Sequence, residues 1–335
     1  MGGARCGRKG PVGQNSGHPK LDATIRSPFL IPPASPSAAV PLTHSDAHVA
    51  DDTAKVGLWL PALTLWKREM VRFLRQRNRV ASSLLTPAIF WLFLGTGLDH
   101  MVVSSNGHGQ QSAGATQIEG AVQSVSAAQT IGYRAYFFPG TITMILLFTA
   151  IFSTISVIED RREGFMQGVL VAPAPRLAIV LGKVLGGTTL ALGQALLFAL
   201  IWPLVGDIPS VGWCFVAVGV MALMAVGLCA LGLCIAWPMD STAGFHAIMM
   251  VLLMPMWFLC GSVFPVAGAP TWLKVIMLAN PLTYGQSALS SSFHGGRAGA
   301  SMWPAWVNVA IFAAAAAIAL ATATAMVSRP RKDGT

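Results

Sequence analysis

Charge is what this chain has least of. Among 335 residues there are 13 Asp or Glu and 22 Lys or Arg, together 10%, against 54% hydrophobic. Soluble globular domains carry about 25% charged residues, so there is too little polar surface to coat a water-soluble domain of this length. A surface that faces lipid removes the shortage. The net charge of +9 does not point to nucleic acid, because the bases cluster beside apolar runs instead of forming a basic-aromatic stripe. Cysteine is sparse too: Cys6, Cys214, Cys229, Cys234 and Cys260, four of them inside apolar stretches and none in a CxxC or Cys/His cluster. That argues against a metal site or a disulfide framework. No GxxxxGK[ST] is present, and Gly182-Lys183 and Gly186-Gly187 lack its spacing, so the chain does not itself cradle ATP. HExxH and GxSxG are missing as well, which leaves no hydrolytic constellation. The chain is expected to be neither an enzyme nor a binder of any cofactor or metal.

What is abundant is long apolar sequence. Six charge-free runs are long enough to cross a bilayer: Val80–Leu98, Ala135–Ile158, Val184–Gly206, Ile208–Met239, Ser241–Leu273 and Ala298–Ser328. About 20 residues at 1.5 Å each are needed. One such run could be a buried core helix; six in one chain predict an all-α integral membrane protein with six transmembrane helices. Pro238 with Asp240 is expected to end the fourth, and Pro265, Gly268 and Pro270 the fifth. Trp202, Trp213, Trp237, Trp272 and Trp303 lie near predicted ends, as interfacial anchors do.

Basic residues give the orientation. Lys67, Arg68, Arg72, Arg75, Arg77, Arg79, Arg161, Arg162, Arg176, Lys183, Arg329, Arg331 and Lys332 fall on one side, with Lys183 taken as the edge of the third run. Only Arg134, Lys274 and Arg297 fall on the other. The excess places both termini in the cytoplasm of a cell (plasma or inner) membrane protein.

Outside the spans, residues 1–55 read as a disordered Gly/Pro/Ser tail without the apolar core of a signal peptide. Segment 56–79 contains Leu58–Arg77, where Trp59, Leu60, Leu63, Trp66, Met70, Phe73 and Leu74 alternate with Lys67, Arg68, Arg72 and Arg75. It reads as an amphipathic basic helix in the headgroup layer, or as a flank that orients the first span. His100–Arg134 is a long polar loop, either capping an exit path or unstructured. Val275–Gly296 is charge-free but rich in hydroxyls, which suits an interfacial or re-entrant helical pair. Residues 329–335 form a basic tail, and 80–328 a six-span domain.

Ion-driven carriers need acids or bases within the membrane. The runs supply only His246, so energy is expected to enter through a cytosolic contact. The candidate is Glu159–Pro173. Glu159, Asp160, Arg161, Arg162 and Glu163 mix charge, Gly164 and Gly168 allow close approach, and Phe165, Met166, Val169 and Leu170 give an apolar face around Gln167. Either a protein socket or an ordinary charged loop fits this pattern. Within the spans, Thr141, Ile145, Phe148 and Phe152 share one helical face, as do Met250, Met254 and Trp257. Such soft aromatic walls suit an amphipathic cargo, or else plain helix packing. Gly182 and Gly186 make a GxxxG pair, and Ala313–Ala317 a smooth stretch, for close helix contact.

Three stretches carry a resemblance: WKREMVRFLRQRNRV at Trp66–Val80, YFFPGTITMILLFTAIFSTISVIEDRREGFMQGVLVAPAPRLAIVLGKVL at Tyr136–Leu185, and NPLTYGQSAL at Asn280–Leu289. Over about residues 58–328 the chain resembles the ABC-2-type exporter permeases, nearest the drug-resistance and nodulation-export types. The resemblance implies a permease that pairs with a second permease copy and with two separately encoded ATP-binding subunits, which hold the ATP and Mg. It implies a connecting helix at Leu58–Arg77, a coupling helix at Glu159–Leu170, and outer re-entrant helices around Asn280–Ser292. An amphipathic, drug-like, lipid-linked or polysaccharide-type cargo would leave the cytoplasm through it. The alternative is a self-contained ion-coupled carrier or channel.

Overall fold

A computed structural model describes residues 58–75, 77–106, 132–171, 175–263, 265–266, 269–296 and 303–328. The tails expected at 1–55 and 329–335, and most of the polar loop, lie outside the described residues. The described chain is helical throughout: α1 (Trp59–Arg75), α2 (Arg77–Asn106), α3 (Tyr133–Arg162), α4 (Phe165–Val171), α5 (Arg176–Ala199), α6 (Val211–Ala236), α7 (Thr242–Trp257), α8 (Thr271–Ala279), α9 (Pro281–Phe293) and α10 (Ala305–Ser328).

Five segments are long and apolar enough to cross a bilayer: Tyr133–Arg162, Arg176–Leu204, Val211–Ala236, Thr242–Ser262 and Ala305–Ser328. The first run expected from sequence falls within α2, where the apolar stretch is the shorter Ser83–Gly97. The α3 segment is central, 89% of its apolar window being buried against 17% for α10. Around it pack α2, α5, α6 and α7, while α6 in turn carries α10 and α9. Close packing is set by small residues. A Cβ on Gly227 of α6 would stand 2.9 Å from the Cβ of Ala316, so α10 uses its alanine run to approach.

One boundary differs from the sequence expectation and another agrees with it. The third apolar run does not start at Val184: α5 begins at Arg176, so Lys183 lies two turns inside the helix and is buried. The fifth apolar segment closes at Ser262, in line with the stop expected from Pro265, Gly268 and Pro270. A π-type turn over Phe258–Ser262 puts Gly261 at φ 86°, which a residue with a Cβ adopts at a cost, and the chain turns before Pro265. Beyond it, α8 and α9 meet at Asn280, whose side-chain oxygen accepts from Leu282 N–H (3.0 Å) while its amide donates to the Met256 carbonyl (2.7 Å). The hydroxyls that made this stretch look unfit for lipid are turned inward; Thr283, Ser291 and Ser292 are buried and donate to main-chain carbonyls.

The amphipathic helix also differs in detail. Ala62, Leu65, Glu69 and Phe73 form the buried face of α1, at three- and four-residue spacing. It lies on α5 at the GxxxG pair, where a Cβ on Gly182 would sit 2.7 Å from Leu65 Cβ and one on Gly186 2.9 Å from Glu69 Cβ. Trp66 Nε1 donates to Thr189 Oγ1 (3.1 Å) along the same seam. Leu60, Leu63, Val71 and Leu74 make a second apolar stripe, which remains exposed.

Candidate functional site

The last turn of α3, the buried face of α1 and the first turns of α5 enclose a cluster of charges. Asp160 is fully buried. Arg68 donates to both its oxygens (2.9 and 2.6 Å), Arg72 to Oδ1 (2.7 Å), and Lys183 to Oδ2. Lys183 also donates to Glu69 and to Ser156 Oγ (3.2 Å). Arg72 reaches on to Glu159 (2.9 Å) and lies 3.6 Å from Glu163. A forked guanidinium on a carboxylate gives strength and fixed geometry, and the Asp160 hydrogen bond holds the Arg68 proton more firmly than usual despite partial burial. Breaking such a pair on one side strands a charge away from water.

The segment read as one charged element, Glu159 to Leu170, is in fact two. Glu163 caps α3 and Gly164, at φ 75°, turns the chain, as glycine does beyond a helix end; α4 then starts at Phe165. Glu159 and Asp160 belong to α3 and point into the cluster, so Asp160 positions the corner and is closed to an outside partner. Arg161 turns the other way, its guanidinium 4.8 Å from the Trp237 ring centre and 3.3 Å from Asp240. Arg162, Glu163 and Phe165 are exposed, with Arg68 3.8 Å above the Phe165 ring. Gln167 and Leu170 lie on α4, and Met166 anchors it inward.

Beside this cluster opens a cavity of about 650 Å³, walled by α2, α3 and α7 and the end of α1. Phe148, Phe152, Met250 and Met254 line it, with Met144, Phe73, Glu159 and His246. Phe148 and Phe152 stack at 5.8 Å, and His246 sits 5.7 Å from Phe152. Ser83 and Thr149 line it too, both bonded to the buried amide of Gln194. Thr141 and Trp257 are placed elsewhere. The Thr141 hydroxyl donates to the Phe137 carbonyl (3.3 Å), and Trp257 packs on Phe90 and Phe137 while donating to the Gly140 carbonyl (2.9 Å). Among the described residues no group of His, Cys, Asp and Glu converges as a metal site.

The sequence reading missed Glu69 and Lys183 and held that His246 was the one titratable side chain inside the spans. Lys183 and Asp160 lie just beyond the charge-free runs, yet they are buried, in helices that belong to two candidate spans. One signal was available. Glu69 is the single acid in a basic helix and falls in register with Ala62, Leu65 and Phe73, so its face had to meet a cation.

An all-helical chain with five bilayer-length apolar helices around a buried charged corner is a multi-pass integral membrane protein. Its family follows from comparison. A family model for the ABC-2 type transporter matches residues 62–294, and the chain belongs to that family. It is 26% identical over 154 residues to a Cyanophora paradoxa protein named "Putative transport permease ycf38" (45% of this chain, 53% of that one). It is 26% identical over 155 residues to the Escherichia coli (strain K12) protein named "Probable multidrug ABC transporter permease YbhR" (46% and 42%). The matched stretch thus spans about half the length of these relatives.

Proposed function

We propose that this chain is the membrane-spanning permease of an ATP-driven exporter, working with two separately encoded ATP-binding subunits and a second permease copy in the cell membrane. The observation that carries the reading is the α1–α3–α5 charge cluster beside the α3–α4 corner. A partner that moves α4 would move α3 directly and α1 through Asp160, because Arg68 and Arg72 bond that carboxylate in common. The family match and the relatives' names support the same assignment. ATP and Mg belong to the partner. The exposed stripe of α1 suits the cytoplasmic headgroup layer, and the four cavity-lining residues Phe148, Phe152, Met250 and Met254 mark the path of an amphipathic cargo, while Thr141 and Trp257 lie outside its lining.

Six crossings are the count this reading requires. Trp91 of α2 donates to the Arg134 carbonyl at one end of α3 (3.2 Å), and Ser83 meets Gln194, which also holds Thr149 halfway along α3. These contacts set α2 alongside α3 and support our reading that it crosses with α3 and that both termini lie inside.

The buried acids and base lend one observation to the ion-coupled alternative. Asp160 takes hydrogen bonds from three cationic side chains, an arrangement suited to a fixed joint and ill suited to loading a proton each cycle. Affinity purification of the tagged full chain separates the two readings. An ATP-binding subunit is expected to copurify and to hydrolyse ATP faster in the complex. Accumulation of solute on a proton or sodium gradient by the chain alone would overturn the exporter reading.

A further inference from the structure

The cavity is chemically lopsided. Its α3 wall runs from Met144 to Glu159, about 22 Å at the helical rise. Along most of that wall the lining is apolar, aromatic or sulfur-bearing, through Met144, Phe148, Phe152 and Ile155. Glu159 supplies the one formal charge, at one end; His246 of α7 is the other titratable group in the lining.

Glu159 is the only charged side chain that reaches the cavity there, and its counter-ion is shared. Arg72 of α1 bonds Glu159, yet it also serves Asp160 (2.7 Å) and lies 3.6 Å from Glu163. Arg68 and Lys183 are committed to Asp160 and Glu69. Of the cluster's three cations Arg72 alone contacts Glu159, and it divides its contacts among three carboxylates. Arg161 pairs with Asp240 (3.3 Å), Arg162 is exposed, and Lys67 and Arg75 line a shallow groove together with Arg68, Arg72 and Glu163; none of these cations lines the cavity. The carbonyl end of α3 adds partial negative charge at the same place.

We propose that this cavity takes an amphiphilic monocation, with its ammonium-type head at the Glu159 end and its apolar body laid along Phe152, Phe148 and the methionines. The proposal deepens, and rests on, the reading of the cavity as the cargo path. A polysaccharide or an anionic lipid is matched less well, since no lysine or arginine lines the cavity and the hydroxyls of Ser83 and Thr149 are already engaged by Gln194.

The test uses the full chain in phosphatidylcholine nanodiscs at a pH of about 8, above the ordinary imidazole range. Three probes share one fluorophore and one long alkyl chain and differ in the head: trimethylammonium, phosphocholine or sulfonate. The ammonium probe is expected to bind at least about tenfold tighter than the sulfonate, with phosphocholine between them. Glu159→Gln should bring the ammonium and sulfonate affinities to within about threefold of each other, Glu159→Asp should keep the preference, and Phe152→Ala should weaken all three probes alike. Equal binding of the three heads would mean a groove for lipid tails and overturn the proposal. So would a sulfonate preference, or an ammonium preference that survives Glu159→Gln. No nucleotide or ATPase enters this assay, so selective binding by a chain with which no ATP-binding subunit copurifies would refute the exporter reading and leave this one standing.

Discussion

Lys183 bridges two carboxylates, Glu69 and Asp160, that would otherwise face each other across a dry corner. Removing it by Lys183→Met leaves Glu69 without its buried cation, and breaking such a pair costs about 3–5 kcal/mol. A lower thermal unfolding midpoint in detergent is expected. The double variant Lys183→Met/Glu69→Gln should recover part of that loss, since Asp160 keeps both arginines; equal destabilisation by single and double variants would deny the pairing. Glu163 is the opposite case. It is exposed and 3.6 Å from Arg72, and a surface contact of this kind is worth at most about 1 kcal/mol to stability. Glu163→Arg should therefore insert and fold normally while impairing export and ATPase stimulation in reconstituted complexes. Unchanged values of both would remove Glu163 from the partner surface.

At the scale of elements, α1 is held by shape as well as charge. Gly182 and Gly186 open the groove that Ala62, Leu65 and Glu69 occupy, and a Cβ at Gly182 would also stand 2.9 Å from the Ala62 carbonyl oxygen. Gly182→Leu should lift α1 off α5 while leaving α5 helical. A short bifunctional thiol crosslinker between cysteines placed at Trp66 and Thr189, whose side chains meet across the seam, reports the change: the crosslink should form readily in the parent and several-fold less in the Gly182→Leu variant. How far this was legible in the sequence differs by residue. The GxxxG spacing marked the groove, and length and apolarity marked the helices. What filled the groove was hidden, because Lys183 and Glu69 are separated by 114 positions and no periodicity links charges that far apart. The orientation count used Lys183 as an edge marker; its burial depends on a partner that only the folded chain supplies. Gly164 was read as permitting close approach, whereas its positive φ makes it the hinge between α3 and α4. Four of the six side chains named for the cargo path share one cavity because helical spacing sets a face, but spacing alone does not say where along the helix the wall ends, and Trp257 and Thr141 fall beyond it.

For the whole molecule the question is parity: five crossings would separate the termini, six would place them together. Ser83–Gly97 at 1.5 Å per residue covers about 22 Å, short of the ~30 Å hydrocarbon core. Taken alone, α2 would not be counted. Its neighbours change the balance, because Gly95 lies against Arg134 at one end of α3 and α1, joined to the start of α2, is bonded to Asp160 at the other. On the six-span proposal α2 crosses alongside α3, with local thinning or the polar ends of α2 making up the difference. On a cysteine-free background, cysteines at Lys67 and Gln167 should react with an impermeant thiol reagent only from the cytoplasmic side, and one at Ser105 only from outside. Reversal of all three would invert the assigned topology. If Lys67 and Ser105 were labelled from the same side, α2 would be a surface helix, the chain would cross five times, and the cavity it walls would open to lipid along its whole length.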